Sequence, residues 1–462
     1  MARRSGRPHA PAWILLAIFV VSLPAVTTRI YASDEIEYYA WLRSVVFDRD
    51  VNFQNEYQHF YDAGGARDAG FRETFLETRT EAGHLVNFAP VGSALLWAPF
   101  FAVGHLVAIA TGAPADGFSH PYIASIAYAS AVYGLLALLL TLAIVRCLVG
   151  DDLRATLVVW LGTPLVFYMY VAPGFAHAAS AFAVSLCLWC WLRVRRTWTP
   201  AGAIALGAAG ALMAMVREQD ALFAAAPAID FLWWAWTARG QAGHWRRAAA
   251  TGIAGAVAWL VAYTPQLAAY HALNGHFGPT HLVARKMTWS SPHFFQVLIS
   301  PEHGFFVWTP LAIVALAGLS WLAMARRQDL PPESRYLAVL ALVLVALQVY
   351  INGCVESWTV AGSFGQRRFV ALTPLLAVGV AAMSRAWSSK PLARVGYTLV
   401  LVAGLWWNLG LMAQFGLHTM DRQRLTPAAN ARATFVDLPI RAPALVWRYL
   451  TDRSSFYGLP RR

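Results

Sequence analysis

The chain has 462 residues, 58% of them hydrophobic and 13% charged, with 20 Trp and a mean hydropathy of +0.48. A soluble domain carries roughly 25% charged residues to cover its surface, so this composition excludes an ordinary soluble protein. The net charge of +12 does not point to nucleic acid, because most basic residues cluster in short loops beside apolar runs and act there as topology signals.

Apolar runs fall near 12–30, 91–110, 121–147, 155–171, 176–193, 200–217, 221–236, 249–270, 305–325, 336–352, 369–385 and 396–416. Lipid offers the backbone no hydrogen-bond partner, so each run is expected to be helical, and the alternating segments of a β-barrel are absent. Arg3, Arg4 and Arg7 precede the first run. They read as the n-region of a signal peptide cleaved at Ala32-Ser33, or as the cytoplasmic tail (1–11) of an uncleaved helix. Arg29 and Tyr31, suited to a helix end at the interface, favour the second reading.

Basic loops at Arg146/Arg154, Arg193/Arg195/Arg196, Arg239/Arg246/Arg247, Arg326/Arg327/Arg335 and Arg385/Lys390/Arg394 alternate with loops nearly free of them. With the N-terminal three they hold 17 of the 36 basic residues. All can share the cytoplasm only if 31–120 begins and ends outside, so the run 91–110 should not cross. Pro90, Gly92, Pro99, Gly104 and His105 suggest that it is broken, interfacial or re-entrant. About eleven spans result, in a transmembrane domain over 12–416 with outer loops 31–120, 271–304 and 352–368 and an outer tail 417–462. Of the four cysteines, Cys147, Cys187 and Cys190 fall in apolar runs and Cys354 in a loop, a pattern that gives neither a disulfide framework nor a zinc motif.

Three carboxylates, Asp34, Glu35 and Glu37, follow the first run at the outer surface, where burying them needs a reason. Asp34 suits a general base that takes a proton from an acceptor hydroxyl. It equally suits an N-cap, with Glu37 as its N3 partner, opening a helix over 35–48. Arg367 and Arg368, beside Gly362 and Gly365, break the charge asymmetry; they fit either a donor phosphate or the headgroups of membrane lipid. Arg285 and Lys286 are a second candidate phosphate contact, and Ser300-Pro301-Glu302-His303-Gly304 opens the next helix. Arg217 with Glu218 and Asp220 is expected to form an internal ion pair, and His177 to be structural. No cofactor follows from the sequence. A divalent metal would find ligands in Glu77, Glu81 and His84 beside Asp34, at a spacing that fixes no site.

This pattern resembles the GT-C glycosyltransferases, nearest the protein O-mannosyltransferase and lipid A aminoarabinose-transferase branch. The likeness rests on the Asp34-Glu35 pair after the first span and on Gly83–Pro90 at the end of the long outer loop. It rests also on Ser300–Gly304 with Trp308-Thr309-Pro310, and on Ser363-Phe364-Gly365 with Arg367-Arg368. It implies an all-α GT-C bundle whose outer loop holds juxtamembrane helices, in a bacterial inner membrane with an extracytoplasmic active site. Asp34 would be the catalytic base and Glu35 its companion, with Glu37, His84, His303 and Arg217 as further substrate or metal contacts. The chemistry implied is inverting transfer of a monosaccharide from a polyprenyl-phosphate donor to a hydroxyl of a glycan, lipid or protein acceptor. The acid pair and the twin arginines are then expected to share one pocket. The departures are Glu37, an additional acid, and the outer loop's acidic-lysine motif, which has no counterpart here. A transporter or flippase of lipid-linked glycans, or a non-catalytic envelope-assembly subunit, is the alternative. Acids gathered at the outer surface rather than at mid-span argue against transport.

Overall fold

The computed structural model describes residues 10–64, 70–237, 239–241, 243–360, 362–388 and 390–456. The basic tail with Arg3, Arg4 and Arg7 lies outside the described residues. The described residues form no strand, only helices and isolated bridge residues such as the pair Arg79 and Leu85. The helices used below are α1 (Ala10–Ser22), α2 (Ser33–Arg43), α3 (Gly92–Thr111), α4 (His120–Leu148), α5 (Leu153–Gly162), α6 (His177–Val194) and α7 (Pro200–Val216). They continue with α8 (His244–Asn274), α9 (Leu311–Met324), α10 (Ser334–Cys354), α11 (Thr373–Trp387), α12 (Pro391–Gly416) and α13 (Leu438–Thr451). Among the described residues seven helices are long and apolar enough to cross a membrane, and four shorter apolar helices accompany them. The protein is a membrane-embedded helical protein.

Its contacts divide it into two compact units, Met1–Arg146 with Tyr168–Met287, and Cys147–Phe167 with Thr288–Arg462. Both use the same packing device. In the first, α7 is built of Ala and Gly, so its backbone meets that of α8: a Cβ on Gly207 would lie 2.2 Å from the carbonyl oxygen of Gly255. In the second, a Cβ on Gly318 of α9 would lie 1.9 Å from the carbonyl oxygen of Gly379 in α11. Between apolar helices in lipid, close van der Waals contact rather than water exclusion supplies the attraction, and small residues permit it.

The run 91–110 is not broken. Helix α3 continues through Pro99. The Tyr133 hydroxyl donates to the Leu96 carbonyl at 2.8 Å, beside the Leu95 carbonyl that Pro99 deprives of its helical donor. Helices α3 and α4 form an antiparallel pair, with Trp97 donating to Ser130 and His105 bonded to the Tyr122 hydroxyl. Gly92 lies on the backbone of Met215 and Val216 at the end of α7. The opposite end of the pair lies beside Thr28, whose hydroxyl bonds His120 Nε2 at 2.9 Å.

Two runs read as single helices are interrupted. The run 155–171 splits at Thr163-Pro164, and the Asn408 amide of α12 donates to the stranded carbonyls of Leu161 (2.8 Å) and Thr163 (3.0 Å). The run 221–236 opens as a 3₁₀ turn, Glu218–Ala224. Cys354, expected in a loop, is the buried last residue of α10.

Loop 31–120 supplies most of one core, built on Tyr39, Phe53, Tyr57, Phe60, Trp97 and Phe101 and shared with Met215, Ala269 and Leu273. Arg43 is buried inside it. The guanidinium binds Asp48 and Glu56, reaches the Asp116 carbonyl, and covers the Phe118 ring at 4.3 Å. Burial pushes the Glu56 carboxyl up to about 7, against the pull of Arg43.

The glycine seams give the first test. Gly207→Leu and Gly318→Leu should each separate one helix pair and cost about 1–3 kcal/mol or more of stability. The check is the fraction of monodisperse protein after heating in detergent, with the exposed Gly396→Leu, which meets nothing within 4 Å, as control.

Candidate functional site

The three acids lie within the first five residues of α2, which starts two positions earlier than the sequence suggests. The helix runs Ser33–Arg43 and passes into a π turn over Ser44–Asp48. Asp34 is therefore not the N-cap, and Glu37 is not its partner. Ala32 occupies the cap position, and an alanine side chain has no acceptor to offer. Glu35 at N3 takes over. Its Oε2 accepts the N–H groups of Tyr31 and Ala32, each at 3.1 Å, which is the reach-back half of a capping box. Its Oε1 accepts the Gly174 N–H at 3.2 Å. Glycine at 174 permits this close approach, since a Cβ there would lie 2.8 Å from Glu35 Oε1. Glu35 is wholly buried. Desolvation raises its pKa to about 7, the three N–H donors pulling the other way and the charge of Asp34 adding to the rise.

Glu37 is buried too and has a different task. Its Oε1 accepts the Phe88 N–H at 2.7 Å, while Asn87 Nδ2 donates to the Glu37 carbonyl. The Trp41 indole donates to the Ala89 carbonyl and the Tyr57 hydroxyl to that of Val86. The Gly83–Pro90 segment is thus strapped along α2, then fastened to α8 through Val91 N–H and Gln266 Oε1 at 2.9 Å. Lys286 is exposed, with its Nζ 3.6 Å from the centre of the Phe88 ring, so one cation of the Arg285-Lys286 pair stands over the segment that Glu37 holds. Arg285 is exposed beside it. Asp34, by contrast, is partly exposed.

Beyond Gly174 the chain turns into α6, and His177 meets the end of α7. The buried Arg217 donates to His177 Nδ1 at 2.6 Å, which places the imidazole proton on Nε2. Asp220 accepts from the Ser180 hydroxyl at 2.5 Å. The direct bond of Arg217 is thus to His177, and it influences Asp220 only through its charge. The starts of α2 and α6 and the end of α7 form one polar cluster joined by the 172–177 turn.

Of the three residues expected around a metal, only Glu81 belongs to a group among the described residues that could hold one. Glu77 pairs with Arg72, and His84 is partly buried outside the Glu81 cluster. Glu81 instead faces His276 and His281, and the ligand atoms of these three lie within 4.8 Å of one another. Glu81 Oε1 is 3.1 Å from His281 Nδ1, Oε2 is 4.0 Å from His276 Nε2, and the two rings stack at 5.4 Å. His276 Nε2 is buried without a hydrogen-bond partner, as an open ligand position requires. The Thr280 hydroxyl and His281 N–H fix the carboxylate at 3.0 and 2.8 Å. Two imidazoles and an oriented carboxylate suit a borderline divalent ion such as zinc.

In the second unit, the two motifs 300–310 and 363–369 pack on each other. His303 is wholly buried at φ +64°, its Nε2–H donating to the Ser363 carbonyl at 2.9 Å and its ring stacked on Trp308 at 4.7 Å. Burial lowers its pKa to about 4, so it is neutral. Phe364 meets the edge of Trp308, and Phe305 packs on Phe369. The helix after Gly304 is a single turn, Phe305–Trp308, interrupted before α9. His303 therefore joins the two loops through its Nε2. Arg367 and Arg368 are partly buried, and Arg368 donates to the Ser357 hydroxyl at 3.1 Å. The acids, Arg217, Arg285 and Lys286 belong to the first unit, and His303, Arg367 and Arg368 to the second.

No protein-family model matches the chain, and no curated protein matches it either. The site is therefore read from its own residues. Sequence reasoning missed the Glu35–Gly174 bond, the Arg217–His177 pair and the Glu81–His276–His281 cluster, which join positions 139, 40 and about 200 residues apart.

Two outcomes follow. Because the folded pKa of Glu35 is raised, its contribution to stability is present at low pH and lost as pH rises through about 7. Amide hydrogen exchange of 31–38, corrected for intrinsic rates, should be slower at acid than at alkaline pH, and Glu35→Gln should flatten the difference. For the metal, the purified protein should bind one zinc ion per chain by elemental analysis and titration. His276→Ala and His281→Ala should each weaken binding tenfold or more, while His84→Ala leaves it unchanged.

Proposed function

We propose that the chain is a membrane glycosyltransferase of the GT-C type, moving a monosaccharide with inversion from a polyprenyl-phosphate donor to a hydroxyl acceptor. One observation carries the reading. Of three acids on one helical turn, Glu35 and Glu37 are buried and spent on holding backbone, whereas Asp34 is partly exposed on a rigid helix start. A carboxylate so positioned suits general-base work, which needs a fixed direction and access to the substrate.

In the proposed reaction the acceptor hydroxyl gives its proton to Asp34 as its oxygen attacks the anomeric carbon. The bond from that carbon to the phosphate oxygen breaks, and the lipid phosphate leaves with the electron pair. Arg285 and Lys286 would take its negative charge on this unit, and Arg367 and Arg368 remain donor-phosphate candidates on the other. Arg217, fixed by His177, contributes positive charge without contact to substrate.

The same reading places about eleven spans in a bacterial inner membrane, with the chemistry on the extracytoplasmic side and α3 not crossing. Two contacts support the last point. The start of α3 lies on the end of α7 and its far end beside Thr28, both of which the charge pattern puts outside.

Asp34→Asn in proteoliposomes supplied with polyprenyl-phosphate sugars should lower transfer by about 10²–10⁴-fold, the usual weight of a general base. Donor affinity and thermal stability should stay near wild type. Wild-type turnover in the Asn variant would remove the mechanism.

A further inference from the structure

The chain after α12 carries eight arginines against three aspartates on a side where the charge pattern predicts few. It does not extend away from the membrane helices. Starting from Pro391, a hydrocarbon core of about 30 Å is spent after roughly 20 helical residues, near residue 411. At that level the chain returns. The Trp406 indole donates to the Thr434 carbonyl at 2.9 Å, and Trp407 stacks on Phe435. Gln414 Nε2 donates to the Thr434 hydroxyl at 2.9 Å, and the buried Asn430 amide donates to Gln414 Oε1. These bonds pin Ala433–Asp437 to α12 at the depth where acyl chains give way to headgroups.

Helix α13 leaves from that anchor. Ile440, Val446, Trp447 and Leu450 lie on one side of it and are 57–78% exposed, continuous with the exposed Phe435 and Val436. A helix of this kind, with an aromatic and aliphatic face beside arginines, lies in a membrane surface rather than in water. Arg441 and Arg448, two turns apart, share an adjoining side and line a cavity of ≈ 450 Å³ with Gln414, His418, Thr419 and Asp437. Arg448 is braced by the Ser455 hydroxyl at 2.8 Å and stacks on Phe456 at 4.4 Å, so its guanidinium is held in place. Guanidinium groups at headgroup depth match phosphate oxygens in charge and geometry.

We propose that α13 lies in the membrane surface and that Arg441 and Arg448 bind the headgroup phosphate of an anionic phospholipid. The site stands whether or not the chain transfers sugar. The test uses the full chain in nanodiscs made with and without phosphatidylglycerol. A photoreactive benzophenone residue in place of Trp447 should form adducts with phospholipid. Phosphatidylglycerol retained by the protein in native mass spectrometry should fall at least tenfold in Arg441→Gln/Arg448→Gln. Arg441→Gln alone, which leaves the Arg448 brace intact, should lower it in part, and Arg441→Lys/Arg448→Lys should restore some of it. Inorganic phosphate should not displace the lipid. Adducts between two copies of the chain, or no lipid adduct, would overturn the helix placement. Unchanged retention in the double Gln variant, or displacement by inorganic phosphate, would overturn the headgroup site.

Discussion

A polar group withdrawn from water into an apolar helix bundle must find its partner within the protein, and Glu35 shows how much follows from that constraint. Its carboxylate is buried, so it gathers three backbone N–H groups, two from the chain entering α2 and one from Gly174. Those bonds begin the helix, fix the turn before α6 against it, and so bring His177 and Arg217 to the same end of the unit. Glu37, buried on the same turn, repeats the device toward Phe88 and the Gly83–Pro90 segment. Asp34, just ahead of these two buried acids, keeps part of its surface exposed.

The same rule explains which parts of the fold were legible in the sequence. Hydropathy and charge locate the long helices to within a few residues at most ends, because the need for internal hydrogen bonding leaves an apolar run few alternatives to a helix. Interruptions were harder to see. Thr163-Pro164 was visible as a breaker, but only Asn408, far along the chain, makes the break tolerable. Pro99 carried the same signal, yet α3 stays whole, with Tyr133 answering a carbonyl in the turn before the proline. A proline states a local cost; the partner that meets it lies elsewhere in the fold.

At the site, residue types were legible and their roles were not. The cluster 34–37 announced itself by charge, yet which acid caps the helix depended on whether it starts at position 33 or 35, a shift that spacing alone could not resolve. Glu81 was visible as a ligand, but its imidazole partners lie about 200 residues away, and the nearer His84 offered itself in their place. His303, in a motif that looked chemical, is neutral, buried and committed to Ser363.

The break at Pro164 also bears on how this protein is made. The carbonyls of Leu161 and Thr163 wait for an amide 247 and 245 residues downstream. At about 5–20 residues per second, a ribosome takes roughly 10–50 s to supply it. Over that interval a hairpin already handed to the translocon carries unsatisfied carbonyls among lipids. The break is completed only once α12 has been made, and a chain ended before α12 would lack the amide that meets those two carbonyls.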